Sequence, residues 1–213
     1  MVTDACVCIP WRATDDRLAA FDRVTKFWGH HGFRVITADS DHQGASFNLS
    51  CARNRAVGWA DTKYIIVADA DTIPDIGNVF FALDEFAGVT WPFTHYRHIP
   101  ADYAYSADLM MSAPVDRTYS NSVGGIFICE RELYWELGGC DEMFTGWGFE
   151  DNAFHIAAQT LSRVRRLDGT VFSFNHNGTH RDMSGGNPNR TRLQLYKLCA
   201  GDKPLMRELI RRV

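Results

Sequence analysis

At 213 residues, with 46% hydrophobic and 23% charged side chains, the chain has ordinary globular chemistry and enough length for one large domain, with no disordered region indicated. A net charge of -4 and a pI near 6.0 argue against a broad nucleic-acid or membrane-surface footprint, and the basic runs at 163–166 and 207–212 read as solvated faces. The cysteines at 6, 8, 51, 129, 140 and 199 give neither a zinc spacing nor a disulfide framework, no apolar run approaches about 18 residues and no signal peptide precedes the first strand, so a soluble, cytoplasmic protein is expected.

Residues 5–9 predict a short buried strand that stops at Pro10-Trp11-Arg12. A helix should follow, with Thr14 as N-cap, Asp15 and Asp16 at the positive end of its dipole, and Leu18, Phe21, Val24, Phe27 and Trp28 at helical spacing until Gly29 or Gly32. A second strand at 33–37 ends in the polar Ala38-Asp39-Ser40-Asp41, and a second helix over 47–60 turns Leu49, Ala52, Ala56 and Trp59 to one face. Tyr64-Ile65-Ile66-Val67-Ala68 reads as a strand buried on both faces, with Asp69 and Asp71 at its carboxyl end. Strands alternating with helices make two βαβ units, hence three parallel neighbours, and ligands bind at the carboxyl edge of such sheets. No Gly-x-Gly-x-x-Gly stands at a helix start, so phosphates need another anchor. Two carboxylates this close repel unless a cation or proton lies between them, which points to a metal-diphosphate site; a turn cap beside a solvated Asp is the plainer alternative.

The second half is less regular. Residues 76–86 read as helix and 89–93 as strand, whereas 94–121, with His95, Tyr96, His98, Tyr103 and Tyr105, has no sustained period and reads as a long loop, either an acceptor-binding lid or an insertion. His95 and His98 read as surface histidines. The strand predicted over 122–129 carries Gly124 and Gly125 near its start, which fits either a bound sugar or diphosphate approaching the backbone or a bulge. A short helix over 130–137, closed by Gly138-Gly139, leads into Gly146-Trp147-Gly148-Phe149-Glu150-Asp151. A large ring on a flexible turn, beside two acids opening the helix at 152–161, suits carbohydrate: the ring stacks on a sugar face and a carboxylate accepts a hydroxyl proton. Helix capping by the acids is the alternative.

Pro10-Trp11-Arg12, Phe47-Asn48 with Arg53-Asn54, Asp69-Ala70-Asp71, Gly124-Gly125 and Gly146-Trp147-Gly148-Phe149-Glu150-Asp151 follow the order and spacing of GT-A glycosyltransferases. The chain resembles most the β-1,4-galactosyltransferase group and, more loosely, polypeptide N-acetylgalactosaminyltransferases and family 2 enzymes, over residues 4 to about 192. The resemblance implies an α/β, Rossmann-like nucleotide-diphospho-sugar transferase fold with a mostly parallel central sheet flanked by helices. It implies a single catalytic domain, with residues 1–75 holding the nucleotide sugar and 76–213 the acceptor. The activity implied is metal-dependent transfer of a sugar from a UDP-sugar to a hydroxyl of a carbohydrate acceptor, with Mn²⁺ or Mg²⁺ as cofactor. On the donor side the resemblance places Pro10, Arg12, Asp39, Arg53, Asp69, Gly124 and Gly125. The metal falls to Asp71 with Asp69 nearby and a late histidine, where His176 and His180 both follow the strand expected at 171–175. Trp147 matches the ring between donor and acceptor, Glu150 an acceptor-binding acid and Asp151 the general base of an inverting transfer, retention remaining open. Asn187-Pro188-Asn189-Arg190 echoes a segment that closes over donor. Phe149 departs from the glycine of the galactosyltransferases, and no anchor or stem is expected.

Two rival readings stand beside it. Asp69-Ala70-Asp71-Thr72 after an apolar strand also resembles the nucleophile motif of haloacid-dehalogenase-type phosphatases, but two strands precede it and no lysine occurs between Asp71 and Asn187. The other rival is a non-catalytic sugar-binding module on a transferase fold, against which both acid pairs are intact.

Overall fold

The computed structural model describes residues 4–40, 47–84, 88–103, 112–146, 148–175 and 187–211. Strand β1 (Ala5–Pro10) is buried along its whole length, as its run of small and β-branched side chains dictates. Helix α1 (Leu18–His30) buries Ala20, Val24, Phe27 and Trp28 on one face. It starts later than expected: Thr14 O accepts from the N–H groups of Arg17 and Leu18 in a preceding turn, and the N-cap is Arg17 without a side-chain cap. After β2 (Arg34–Ala38), helix α2 (Leu49–Gly58) is capped by Asn48, whose side chain accepts from Cys51 N at 2.9 Å. Strand β3 (Tyr64–Ala68) follows, then β4 (Thr72–Pro74), α3 (Ile76–Asp84), β5 (Val89–Trp91), β6 (His95–Ile99), β7 (Arg117–Ser120), β8 (Ile126–Glu130), α4 (Arg131–Glu136), α5 (Glu150–Leu161), β9 (Val164–Arg166), β10 (Thr170–Phe174), α6 (Pro188–Cys199) and α7 (Lys203–Ile210).

The main sheet has the order β2-β1-β3-β8-β5-β9. The three opening strands are parallel neighbours, as the two βαβ units require. Beyond them β8 runs antiparallel to both β3 and β5, and β5 pairs parallel with β9, so the sheet is mostly parallel, as expected, with β8 as its one reversed strand. A second sheet, β4-β10-β6-β7, contains two strands inside the stretch expected to be a loop. These strands escape a periodicity search because β6 is half-buried at four of its five positions and β7 is exposed throughout, so neither alternates between a wet and a dry face. The basic run at 163–166 likewise holds an edge strand rather than a solvated face, and Arg166 donates inward to Phe93 O at 3.0 Å and Ser122 O at 2.9 Å.

The core lies on both faces of the main sheet and includes Trp28, Ile65, Ile66, Trp91, Phe93, Ile128 and Phe174. A smaller cluster of Phe144, Ala153, Ala157, Leu193, Tyr196, Met206 and Ile210 joins α5 to α6 and α7, two helices the sequence reading left unassigned. All six cysteines are free thiols, and those at 6, 8, 51, 129 and 140 are buried as small hydrophobes. Among the described residues no helix is long and apolar enough to cross a membrane.

Candidate active site

Asp69 leaves β3 where the two sheets meet. Its N–H donates to Gly125 O at 2.8 Å, and its carbonyl accepts from Thr72 N and Thr72 Oγ1. Two residues on, Asp71 O accepts from Phe174 N at 2.9 Å and its Oδ2 from Ser173 Oγ at 3.4 Å, so the turn bearing both acids is pinned between the start of β8 and the end of β10. Asp151 reaches the same place from the first turn of α5.

Arg53 of α2 joins the two. It is 2% exposed, with Nη2 donating to Asp69 Oδ1 at 2.8 Å and Nη1 to Asp151 Oδ1 at 2.6 Å. Both acids stand in the first turn of α5, whose N-cap position is Phe149 without a side-chain capping bond, and Asp151 is engaged by the guanidinium. Although 26% of the Asp69 side chain stays open, burial pushes its carboxyl up to about 6, with Asp151 and Asp71 adding to the rise and Arg53 opposing it. Glu150, 6% exposed, is pushed up to about 7 by burial and then by Asp151, and its Oε2 makes no hydrogen bond among the described residues. The Tyr96 phenol is raised by burial and next by Asp71 and Asp69.

The two glycines before β8 receive the protein's own side chains. A Cβ on Gly124 would stand 2.7 Å from Asp151 Oδ2, and one on Gly125, whose φ is +100°, would stand 2.6 Å from Tyr96 Cε2. Close approach rather than a bulge explains them, and the approaching groups are a carboxylate and a phenol ring.

On the far side of the sheet edge, Arg12 Nε donates to both oxygens of Asp39, at 3.0 and 2.8 Å, and Nη2 donates to Ser40 Oγ at 3.2 Å. This ties the ends of β1, after Pro10, and of β2 together, and the guanidinium holds the Asp39 carboxyl below its ordinary range. The Arg12 guanidinium also lies 5.4 Å from the Phe47 ring centroid, just before α2.

A second polar framework carries the chain into α5. Asn54 donates to Cys140 O and Glu142 Oε1, both at 2.8 Å, and accepts from Tyr134 OH and Cys140 N. Asn48 Nδ2 donates to Glu142 O and Phe144 O. Buried Asp141 accepts from Arg192 Nε at 2.6 Å and Tyr196 OH at 2.9 Å. Asn189 of α6 accepts from Thr145 N at 3.2 Å and donates to Thr145 O at 2.9 Å and Gly148 O at 3.0 Å, holding the turn on both sides of position 147. Gly146, Gly148 and Phe149 all have positive φ there. No sequence motif points to Ser173 or Asp141; Tyr96 carries a signal only as part of the 94–121 stretch, and Asn189 only through the Asn187-Pro188-Asn189-Arg190 motif.

Trp147, His176 and His180 lie outside the described residues. Among the described residues no three His, Cys, Asp or Glu side chains converge to hold a metal. Asp69 and Asp71 supply two carboxylates, and although burial is the main cause of the rise at Asp69, the part added by Asp151 and Asp71 is negative charge that a hard cation would relieve.

A family model described as the N-terminal domain of galactosyltransferase matches residues 110–180. β-1,4-Galactosyltransferase 7 of Drosophila melanogaster is 36% identical over 70 residues, which are 30% of this chain and 22% of the relative, so the matched stretch spans about a fifth of that protein. A crystal structure of a Drosophila β-1,4-galactosyltransferase 7 variant with manganese, UDP-Gal and xylobiose superposes with a TM-score of 0.57 at 21% identity, over 89% of this chain and 79% of the other. GalNAc-T7 with UDP, GalNAc and Mn²⁺ gives a TM-score of 0.54 at 14% identity, over 97% of this chain and 48% of the other. The chain therefore has the GT-A fold of nucleotide-sugar glycosyltransferases, and between residues 110 and 180 it resembles the galactosyltransferases.

Proposed function

We propose that the chain is a metal-dependent glycosyltransferase that moves a sugar from a nucleotide diphosphate, a UDP-sugar by its likeness to the galactosyltransferases, to an acceptor hydroxyl with inversion. The observation that carries this reading is the convergence of Asp69 and Asp151 on one buried guanidinium, because it brings the acid-bearing strand end and the acid-bearing helix start into a single site. Residues up to 75 supply the nucleotide side, with Pro10, Arg12 and Asp39 at the strand ends, and the remainder supplies the acceptor side. Asp71, with Asp69 beside it, would hold Mn²⁺ or Mg²⁺, with His176 or His180 as the remaining protein ligand. When bound, the cation neutralises charge gathering on the leaving diphosphate.

The protein's own groups do the rest. Trp147 offers a face for a sugar ring. Glu150, buried and pushed up to about 7, can stay protonated and donate a hydrogen bond that an ionised carboxylate could not. Asp151 takes the proton of the acceptor hydroxyl as its oxygen bonds to the anomeric carbon and the bond to the nucleotide diphosphate breaks. The free thiols favour a reducing, cytoplasmic setting. A panel of uridine, guanosine and thymidine diphosphate sugars, screened for Mn²⁺-dependent hydrolysis and thermal stabilisation, tests the reading. One donor family should stand out; no response from any of them would sink it.

A further inference from the structure

Arg53 has no face left for a ligand. Its guanidinium is buried, both terminal nitrogens are engaged by carboxylates, and Nε points into protein without a partner. We infer that Arg53 is a positioning residue, whose rigid fork sets the place of Asp151 relative to Asp69, rather than a group that binds the nucleotide. The inference rests on the transferase reading above and deepens it.

A guanidinium is planar, and its two terminal nitrogens keep a constant separation. With Nη2 on Asp69 and Nη1 on Asp151, the fork fixes how far the acceptor-side carboxylate stands from the metal-side one. Gly124 leaves room for the other oxygen of Asp151, since a Cβ there would lie 2.7 Å from Oδ2 and displace it. Asp151 is thus held by a charge on one oxygen, in a position that only a glycine at 124 accommodates at the other. Lysine carries the same charge but brings it to a point, so it can serve one carboxylate well and not both. Group placement matters steeply in catalysis: an error of about 1 Å costs on the order of 10²-fold in rate.

The test compares Arg53→Lys and Gly124→Ala with wild type, reading three quantities for each. These are the melting temperature, the affinity for UDP with Mn²⁺ by calorimetry, and kcat for the nucleotide sugars of the panel. Both variants should bind UDP within about 3-fold of wild type while kcat falls at least about 10-fold. In an Asp151→Asn background Arg53→Lys should cost far less, because the group it positions no longer accepts a proton. Wild-type kcat in Arg53→Lys would overturn the inference, as would a loss of UDP affinity matching the loss of kcat, which belongs to a donor-binding residue. If Arg53→Lys does not fold, Gly124→Ala decides by the same split, unchanged kcat in it being contrary. A wild type that turns over no nucleotide sugar overturns the transferase reading and this one together; an active wild type with indifferent variants overturns this one alone.

Discussion

Two adjacent acids at the start of α5 live in different surroundings. Asp151 meets a guanidinium and keeps part of its surface open, whereas Glu150 is buried with one oxygen unpaired. If Asp151 accepts the acceptor proton, Asp151→Asn should leave UDP and Mn²⁺ binding nearly unchanged and lower kcat by about 10²–10⁴-fold. A fully active asparagine variant would remove it from that role. Glu150 predicts a pH dependence of stability. Its folded pKa of about 7 lies above the unfolded value of about 4.3, so between them the folded protein holds the extra proton and stability falls as pH rises, levelling off above about 7. Asp69, raised to about 6, acts with the same sign. Urea unfolding at about pH 5 and about pH 8 should therefore show a smaller loss for Glu150→Gln than for wild type, with Asp69 supplying the remaining slope. Equal losses would mean that Glu150 is not held in its neutral form.

At the scale of elements, the turn before α5 depends on a helix that follows it by some 40 positions. Asn189 satisfies backbone groups of Thr145 and Gly148 from inside the protein, so Asn189→Ala leaves them unpaired and should cost about 1–3 kcal/mol by urea unfolding, with a raised acceptor KM. A KM unchanged from wild type would confine Asn189 to stability. Phe149 holds a φ of 79° just before the helix, in the left-handed region that favours glycine. Phe149→Gly should accordingly be more stable than Phe149→Ala by roughly 1 kcal/mol, compared by thermal melts. Similar melting would show that the turn relaxes. These tertiary ties mark where the sequence stops being legible. The parallel strands β1 to β3 were readable because unbroken burial writes an apolar run ending in turn chemistry. Strands β6 and β7 were not, because partial burial of one and full exposure of the other leave no alternation, and no local pattern sets the antiparallel course of β8. Asp69, Asp71, Glu150 and Asp151 could be picked out by motif and spacing. That Arg53 would stand between two of them could not, since nothing in its helix distinguishes a buried arginine from a solvated one.

Over the whole molecule, the site forms where the parallel end of the main sheet, the second sheet and the α5 to α7 helices come together, each contributing through a different chain segment. The core behind it is continuous and apolar, so changes at the acid-bearing turn should alter binding without unfolding the protein. The central claim, that Asp71 and its neighbours hold a divalent cation for a nucleotide diphosphate, is tested most directly by calorimetry of UDP binding to wild type and Asp71→Ala with and without Mn²⁺. Wild type should bind UDP much more tightly with Mn²⁺ than without, and Asp71→Ala should lose that difference while melting at nearly the same temperature. Equal affinity in the two proteins in the presence of Mn²⁺ would contradict the account.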